Sequence, residues 1–117
     1  MITLEEIRMY CLSKREVSED LPFDNTTLVF RVKGKIFLLT NIEMTTFINV
    51  KCEPALAIEL RESHPEISPG YHMNKKHWNT ISLEGDLSII LIFELIDHSY
   101  EQVIKSLPKS LKRELSF

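Results

Sequence analysis

Little in this chain suits a specialised architecture. Its 117 residues include only three glycines, five prolines and two cysteines, which argues against a collagen-like, low-complexity or disulfide-stapled chain. The longest apolar run is Ile89 to Phe93, far short of the roughly 18 to 20 residues that cross a bilayer, so no membrane span is expected. Glu5 and Glu6 stand where a signal peptide carries positive charge and an apolar core, so a cytoplasmic protein is expected. Cys11 and Cys52 lie outside any paired spacing, which predicts two buried thiols rather than a zinc ribbon or a disulfide framework.

What is present is an ordinary globular composition, 44% apolar and 26% charged, enough for one core and hence one domain over residues 1–117. The formal net charge of −3 argues against a polyanion partner, but the charges are segregated. No acid occurs between Asp24 and Glu43, where Arg31, Lys33 and Lys35 lie, nor between Glu66 and Glu84, where Lys75 and Lys76 lie. A third acid-free stretch, Gln102 to Arg113, carries Lys105, Lys109, Lys112 and Arg113.

Thr3 and Glu6 form a capping-box pattern flanked by Ile2 and Ile7, which predicts a first helix over 3–13. Ser13 to Asn25 is polar and acidic, suiting a loop with a short edge strand. Thr27 to Val32, then Lys33-Gly34, then Lys35 to Thr40 predicts a β-hairpin. A two-residue loop would set Phe30 opposite Phe37 and Leu28 opposite Leu39. Phe47 to Cys52 alternates as a third strand, and Pro54 opens a second helix to about residue 62 with Leu56 and Leu60 toward the core. Pro65, Pro69 and Gly70 mark a connection, Trp78 to Leu83 is strand-like, and Asp86 is a cap. A long helix over 87–107 ends before Pro108. Its stripe is Ile89, Phe93, Ile96, Tyr100, Val103 and Leu107, with Ile90, Leu91 and Leu95 widening the apolar surface. Lys109 to Leu115 reads as a short basic helical tail. This order of elements predicts an α+β domain: a twisted antiparallel sheet with helices packed mainly on one face.

Gly70 to Thr80 is the chemically densest stretch, with Tyr71, His72, Asn74, Lys75, Lys76, His77 and Trp78 together and no carboxylate. That is the chemistry of a binding surface. His64, His72 and His77 lack a carboxylate or thiolate at ligand spacing, so no metal and no cofactor is expected. Asp97 and His98 are adjacent on a helix and point apart, and with no other nucleophile, base and orienting group together, a non-enzyme is expected.

Several phrases in combination resemble the MmcQ/YjbR family of small bacterial proteins. They are Tyr10-Cys-Leu-Ser13, Asp20-Leu-Pro-Phe-Asp24, Thr27-Leu-Val-Phe30, Gly34-Lys-Ile-Phe37, Gly70 to Trp78, Leu95-Ile-Asp-His-Ser-Tyr100 and Leu107-Pro-Lys109. Lys14-Arg15-Glu16-Val17 departs from the turn that members commonly carry there. The resemblance implies a fold similar to that of bacterial frataxin homologues and a double-wing mode of DNA binding. On this chain one wing would be Lys33 and Lys35 with Arg31, and the other His72, Asn74, Lys75, Lys76 and His77, with Tyr71 and Trp78 available to stack on a base. The partner expected is DNA, for a monomer or weak homodimer. A small-molecule or drug-sequestering pocket lined by Tyr71, His72 and Trp78 is the alternative, and an interaction patch at Ile90 and Leu91 a third.

Overall fold

The computed structural model of the protein describes residues 1–70 and 73–115. Its elements in chain order are α1 (Leu4–Leu12), β1 (Val17–Asp20), β2 (Thr27–Val32), β3 (Lys35–Asn41), β4 (Phe47–Lys51), α2 (Pro54–Ser63), β5 (Ile67–Pro69), β6 (Trp78–Ser82), α3 (Ile89–Lys105) and α4 (Lys109–Leu115). The six strands form one sheet in the order β1-β2-β3-β4-β6-β5, and every neighbouring pair is antiparallel. The α+β class expected from the sequence is the fold observed.

Local chemistry sets the helix ends. The Thr3 hydroxyl accepts from the N–H of Glu6, and the Glu6 carboxylate accepts from the N–H of Thr3, so two backbone donors left open at the start of α1 are satisfied. Pro54 occupies the first turn of α2, whose cap is Glu53, accepting from Ala55 and Leu56. Helix α3 begins two residues later than expected, because Ser88 rather than Asp86 caps it by accepting from the N–H of Leu91. Ile89, now the first helical residue, is 46% exposed. The buried stripe is Ile92, Leu95, Ile96, Ser99, Tyr100 and Val103. Of the two leucines expected to anchor α2, Leu60 packs on the core from a half-buried position, while Ala57 is the residue fully buried.

Helix side chains and one face of the sheet share a single core. Ile7 and Cys11 from α1, Ile92, Ile96, Tyr100 and Val103 from α3 and Leu115 from α4 meet Phe30, Val32, Leu38, Ile48, Val50 and Ile81 from the strands. Each such side chain contributes roughly 1.5–3 kcal/mol by leaving water. Among the described residues no helix packs on the opposite face.

The β2–β3 hairpin corrects the simple register. Its turn is Lys33-Gly34, both at positive φ, 50° and 83°, the pair of left-handed residues that matches the twist of the strands. Val32 faces Lys35 and Arg31 faces Ile36, but Phe30 then faces Leu38, Val29 faces Leu39 and Leu28 faces Thr40. Phe37 is therefore an extra residue in β3, a β-bulge, and the expected pairs Phe30–Phe37 and Leu28–Leu39 do not form. The bulge lets Phe37 and Leu38 both enter the core, each 0% exposed. It also brings Phe37 edge-on to Tyr100, ring centroids 5.4 Å apart.

The connection expected between α2 and β6 contains a further strand, β5, three residues long and paired with β6. Its two prolines flank or end it, as an edge position allows. Val17 to Asp20 is the short edge strand expected after α1. It is preceded by Glu16 at φ 59°, within the Lys14 to Val17 segment.

The candidate binding face

Directly opposed residues in a sheet project to the same side. Since Val29 pairs with Leu39, Leu39 with Asn49 and Asn49 with Thr80, these four form one row on the helix-free face. Lys51 pairs with Trp78 two residues along, about 6.7 Å nearer one end of the sheet. Thr80 donates to Oδ1 of Asn49 at 2.5 Å.

The same register brings both wings to one end. β2 runs up to its turn at Lys33-Gly34, β3 returns, β4 runs back and ends at Lys51, and β6 starts opposite it at Trp78. Residues 73–77, which lead into β6, thus lie at the end of the sheet that carries the hairpin tip. Their backbone is held locally: the Asn74 side chain accepts from the N–H of Lys76, and its carbonyl accepts from His77 and Trp78. The His77 carbonyl accepts from Cys52 at 2.7 Å. Arg61 of α2 donates to the Lys75 carbonyl and, at 2.6 Å, to Oδ1 of Asn79. A Cβ on Gly70 would lie 3.0 Å from Cβ of Trp78 and 3.1 Å from its carbonyl oxygen, so a larger residue there would press Trp78 aside by a few tenths of an ångström. Tyr71 and His72 lie outside the described residues.

The basic groups are not equivalent. The Lys33 ammonium meets Glu114 at 2.9 Å and Glu16 at 3.8 Å, which raises its pKa, chiefly through the bond to Glu114. Arg31 is held by Asp20 at 3.0 Å and donates to the Gly34 carbonyl. Lys35 and Lys76 are exposed, Lys75 is also at the surface, and Lys51 and Trp78 are half-buried. Lys51, absent from the residues chosen from sequence, joins the basic end only through its register with Trp78.

Below this end the helix-free face is hollowed into a groove of about 380 Å³, lined by Phe23, Thr27, Ile36, Leu39, Thr40, Asn41, Phe47, Asn49 and Met73. Phe23 is 65% exposed at its edge. Nothing in the sequence pattern marks this groove, because its lining comes from two loops and three strands.

A second cavity, about 650 Å³, opens between the C-terminal ends of α1 and α3. At its wall the Tyr10 hydroxyl donates to Oδ1 of Asp97 at 2.6 Å, and the Lys14 ammonium meets the same oxygen. Lys14 also lies over the rings of Tyr10 and Tyr100, 4.9 and 5.2 Å from their centroids. Tyr10 stacks on Phe93 at 4.0 Å. Burial, then the bond to Asp97, pushes the Tyr10 phenol up to about 12. His98, on the adjacent position, turns away and accepts from the N–H of Glu53, and burial lowers its pKa. Among the described residues no group of three His, Cys, Asp or Glu side chains is placed to hold a metal ion, and no helix is long and apolar enough to cross a membrane.

Fold and site together define a small α+β domain with one helix-free sheet face, basic at one end. The chain belongs to the YjbR family, whose model matches residues 12–102. It is 32% identical over 115 residues to the uncharacterized protein YjbR of Escherichia coli K12, covering 97% of each chain. It is 38% identical over 89 residues to the uncharacterized protein YbdF of E. coli O157:H7, covering 75% of this chain and 73% of that one. Among solved structures, Deinococcus radiodurans protein DR2400, with a DUF419 domain, is similar with a TM-score of 0.93 at 38% identity, over 100% of this chain and 90% of that one. A Pseudomonas syringae protein is similar with a TM-score of 0.73 at 29% identity, over 86% and 98%.

Proposed function

We propose that this protein is a non-enzymatic nucleic-acid-binding module that holds a single strand across the helix-free face of its sheet. The observation that carries this reading is the registered pair Lys51 and Trp78 on that face, at the end where Lys35, Lys75 and Lys76 also lie. Lysines attract phosphate without reading sequence, and an aromatic ring beside them offers a base something to stack on. A single strand suits the face better than a duplex. The long helix α3 commits one face to the core along its length, which argues against its serving as a major-groove reader. Relative to a simple two-wing picture, weight moves from Lys33 and Arg31, which are ion-paired, to Lys51 and Lys76.

The test is fluorescence anisotropy with a labelled single-stranded oligonucleotide and its duplex, at low and at physiological salt. Affinity is expected to fall with salt, to be higher for the single strand, and to drop about tenfold or more in Lys51→Glu/Lys76→Glu. Absence of binding at low salt, or binding indifferent to that double substitution, overturns the reading.

A second reading, a small-molecule binding protein, draws on the 650 Å³ cavity beside Lys14 and Asp97, a volume within the usual range of ligand sites. It moves the pocket away from Tyr71, His72 and Trp78. Ile104→Trp would fill the cavity and abolish any thermal shift that a screened compound produces.

A further inference from the structure

We infer that the 380 Å³ groove on the helix-free face is a pocket for one pyrimidine base bearing two ring carbonyls, thymine or uracil. This rests on the proposed strand-binding function and assigns that site its base preference.

The argument begins with shape. Leu39, Ile36 and Phe47 line the groove from the sheet, and Phe23 and Met73 line it from loops. Aromatic and apolar side chains from sheet and loops are the surroundings in which a planar ring is held by stacking and contact. Phe23, 65% exposed, is a large apolar side chain that packing leaves uncovered, and a base seated beside it would cover it.

Hydrogen-bonding capacity then selects the base. The Thr40 hydroxyl donates to the Phe47 carbonyl and the Thr27 hydroxyl to Asp24, so neither has a proton left for a ligand. Asn41 Oδ1 accepts from the N–H groups of Glu43 and Met44, and Asn49 Oδ1 accepts from Thr80. These bonds engage both Oδ1 atoms and leave the Nδ2 groups of Asn41 and Asn49 as donors among the described residues that line the groove. Two amide donors in an otherwise apolar groove call for a ring that presents carbonyl acceptors. Thymine and uracil present two such carbonyls, O2 and O4, whereas cytosine and guanine present one each and adenine none. The apolar lining also accommodates the thymine methyl.

The experiment compares single-stranded oligo-dT and oligo-dA of equal length by anisotropy, with wild type, Asn49→Asp and Phe23→Ala. Asn49→Asp keeps the acceptor for Thr80 but replaces the donor, and Phe23 is exposed enough that its loss leaves folding intact; thermal melts of both variants confirm this. Wild type is expected to prefer oligo-dT about tenfold, and each variant to lose that preference, read as the ratio of the two affinities. Equal affinity for the two homopolymers, with salt dependence intact, overturns the pocket and leaves the strand-binding reading standing. Where neither homopolymer binds at low salt the strand reading has failed, and titration with thymidine alone decides the pocket. Shifts of the Asn41 and Asn49 side-chain NH2 resonances support it, and their absence overturns it.

Discussion

The Ser99 hydroxyl of α3 donates to the carbonyl oxygen of Phe37 at 2.5 Å and accepts from the N–H of Lys51 at 2.8 Å. Phe37 is the bulged residue of β3, so the helix satisfies the backbone where the β3–β4 ladder parts. It does so from a fully buried position, and it thereby ties the core to the strand end that carries Lys51.

Ser99→Ala leaves the Phe37 carbonyl and the Lys51 N–H buried without that partner. A cost of about 1–3 kcal/mol is expected, measured as a lower denaturant midpoint at unchanged slope. A variant as stable as wild type would show that the bulge does not depend on the helix.

Lys33 and Lys51 should behave differently although both are lysines at one end of the sheet. Lys33→Ala breaks the pair with Glu114 and is expected to loosen α4 with little loss of stability, since ion pairs open to solvent contribute little, and with oligonucleotide affinity little changed. Lys51→Ala is expected to weaken binding and to reduce the salt slope by about 1. Equal effects on the slope would return Lys33 to the binding surface.

The Tyr10 phenol, pushed to about 12 mainly by burial and secondly by Asp97, should titrate at that pH by ultraviolet absorbance. The fold favours its neutral form, so its stabilising contribution is complete below the ordinary phenol value of 10.0 and is lost as pH rises toward 12. Tyr10→Phe should flatten this alkaline limb of the stability profile. Asp97→Asn should lower the Tyr10 value only in part, since burial is the larger cause.

Cys11 and Cys52 are 0% and 3% exposed, and burial pushes their thiols up to about 12 and about 11. Both are expected to resist a thiol reagent at mildly alkaline pH until denaturant opens the fold. Labelling of either at the rate of a free cysteine would contradict the packing of α1 or of the β4–α2 junction.

The parts of the fold legible in the chain were those set by neighbours in sequence. The Thr3–Glu6 box, the first-turn Pro54, the Lys33-Gly34 turn and the strands around it all follow from chemistry within four residues. The edge strand β5 was not legible, because three residues broken by proline carry no usable period. The start of α3 was misplaced for a similar reason, two capping residues, Asp86 and Ser88, lying two positions apart.

The candidate site divides along the same line. By itself the sequence determined that the segment around Lys75 and Trp78 is basic, aromatic and free of acid, and that an antiparallel sheet would carry it. Only the tertiary structure decided which cations remain available, since Lys33 meets Glu114, Arg31 meets Asp20 and Lys14 meets Asp97 across long stretches of chain. It also decided that Lys51 stands beside Trp78 and that Asn41, Asn49 and Phe23 line one groove. The physical reason is that helix caps and turns depend on bonds between near neighbours. A shared face depends on the register between strands distant in sequence, and in the β2–β3 pair a bulge at Phe37 shifts that register.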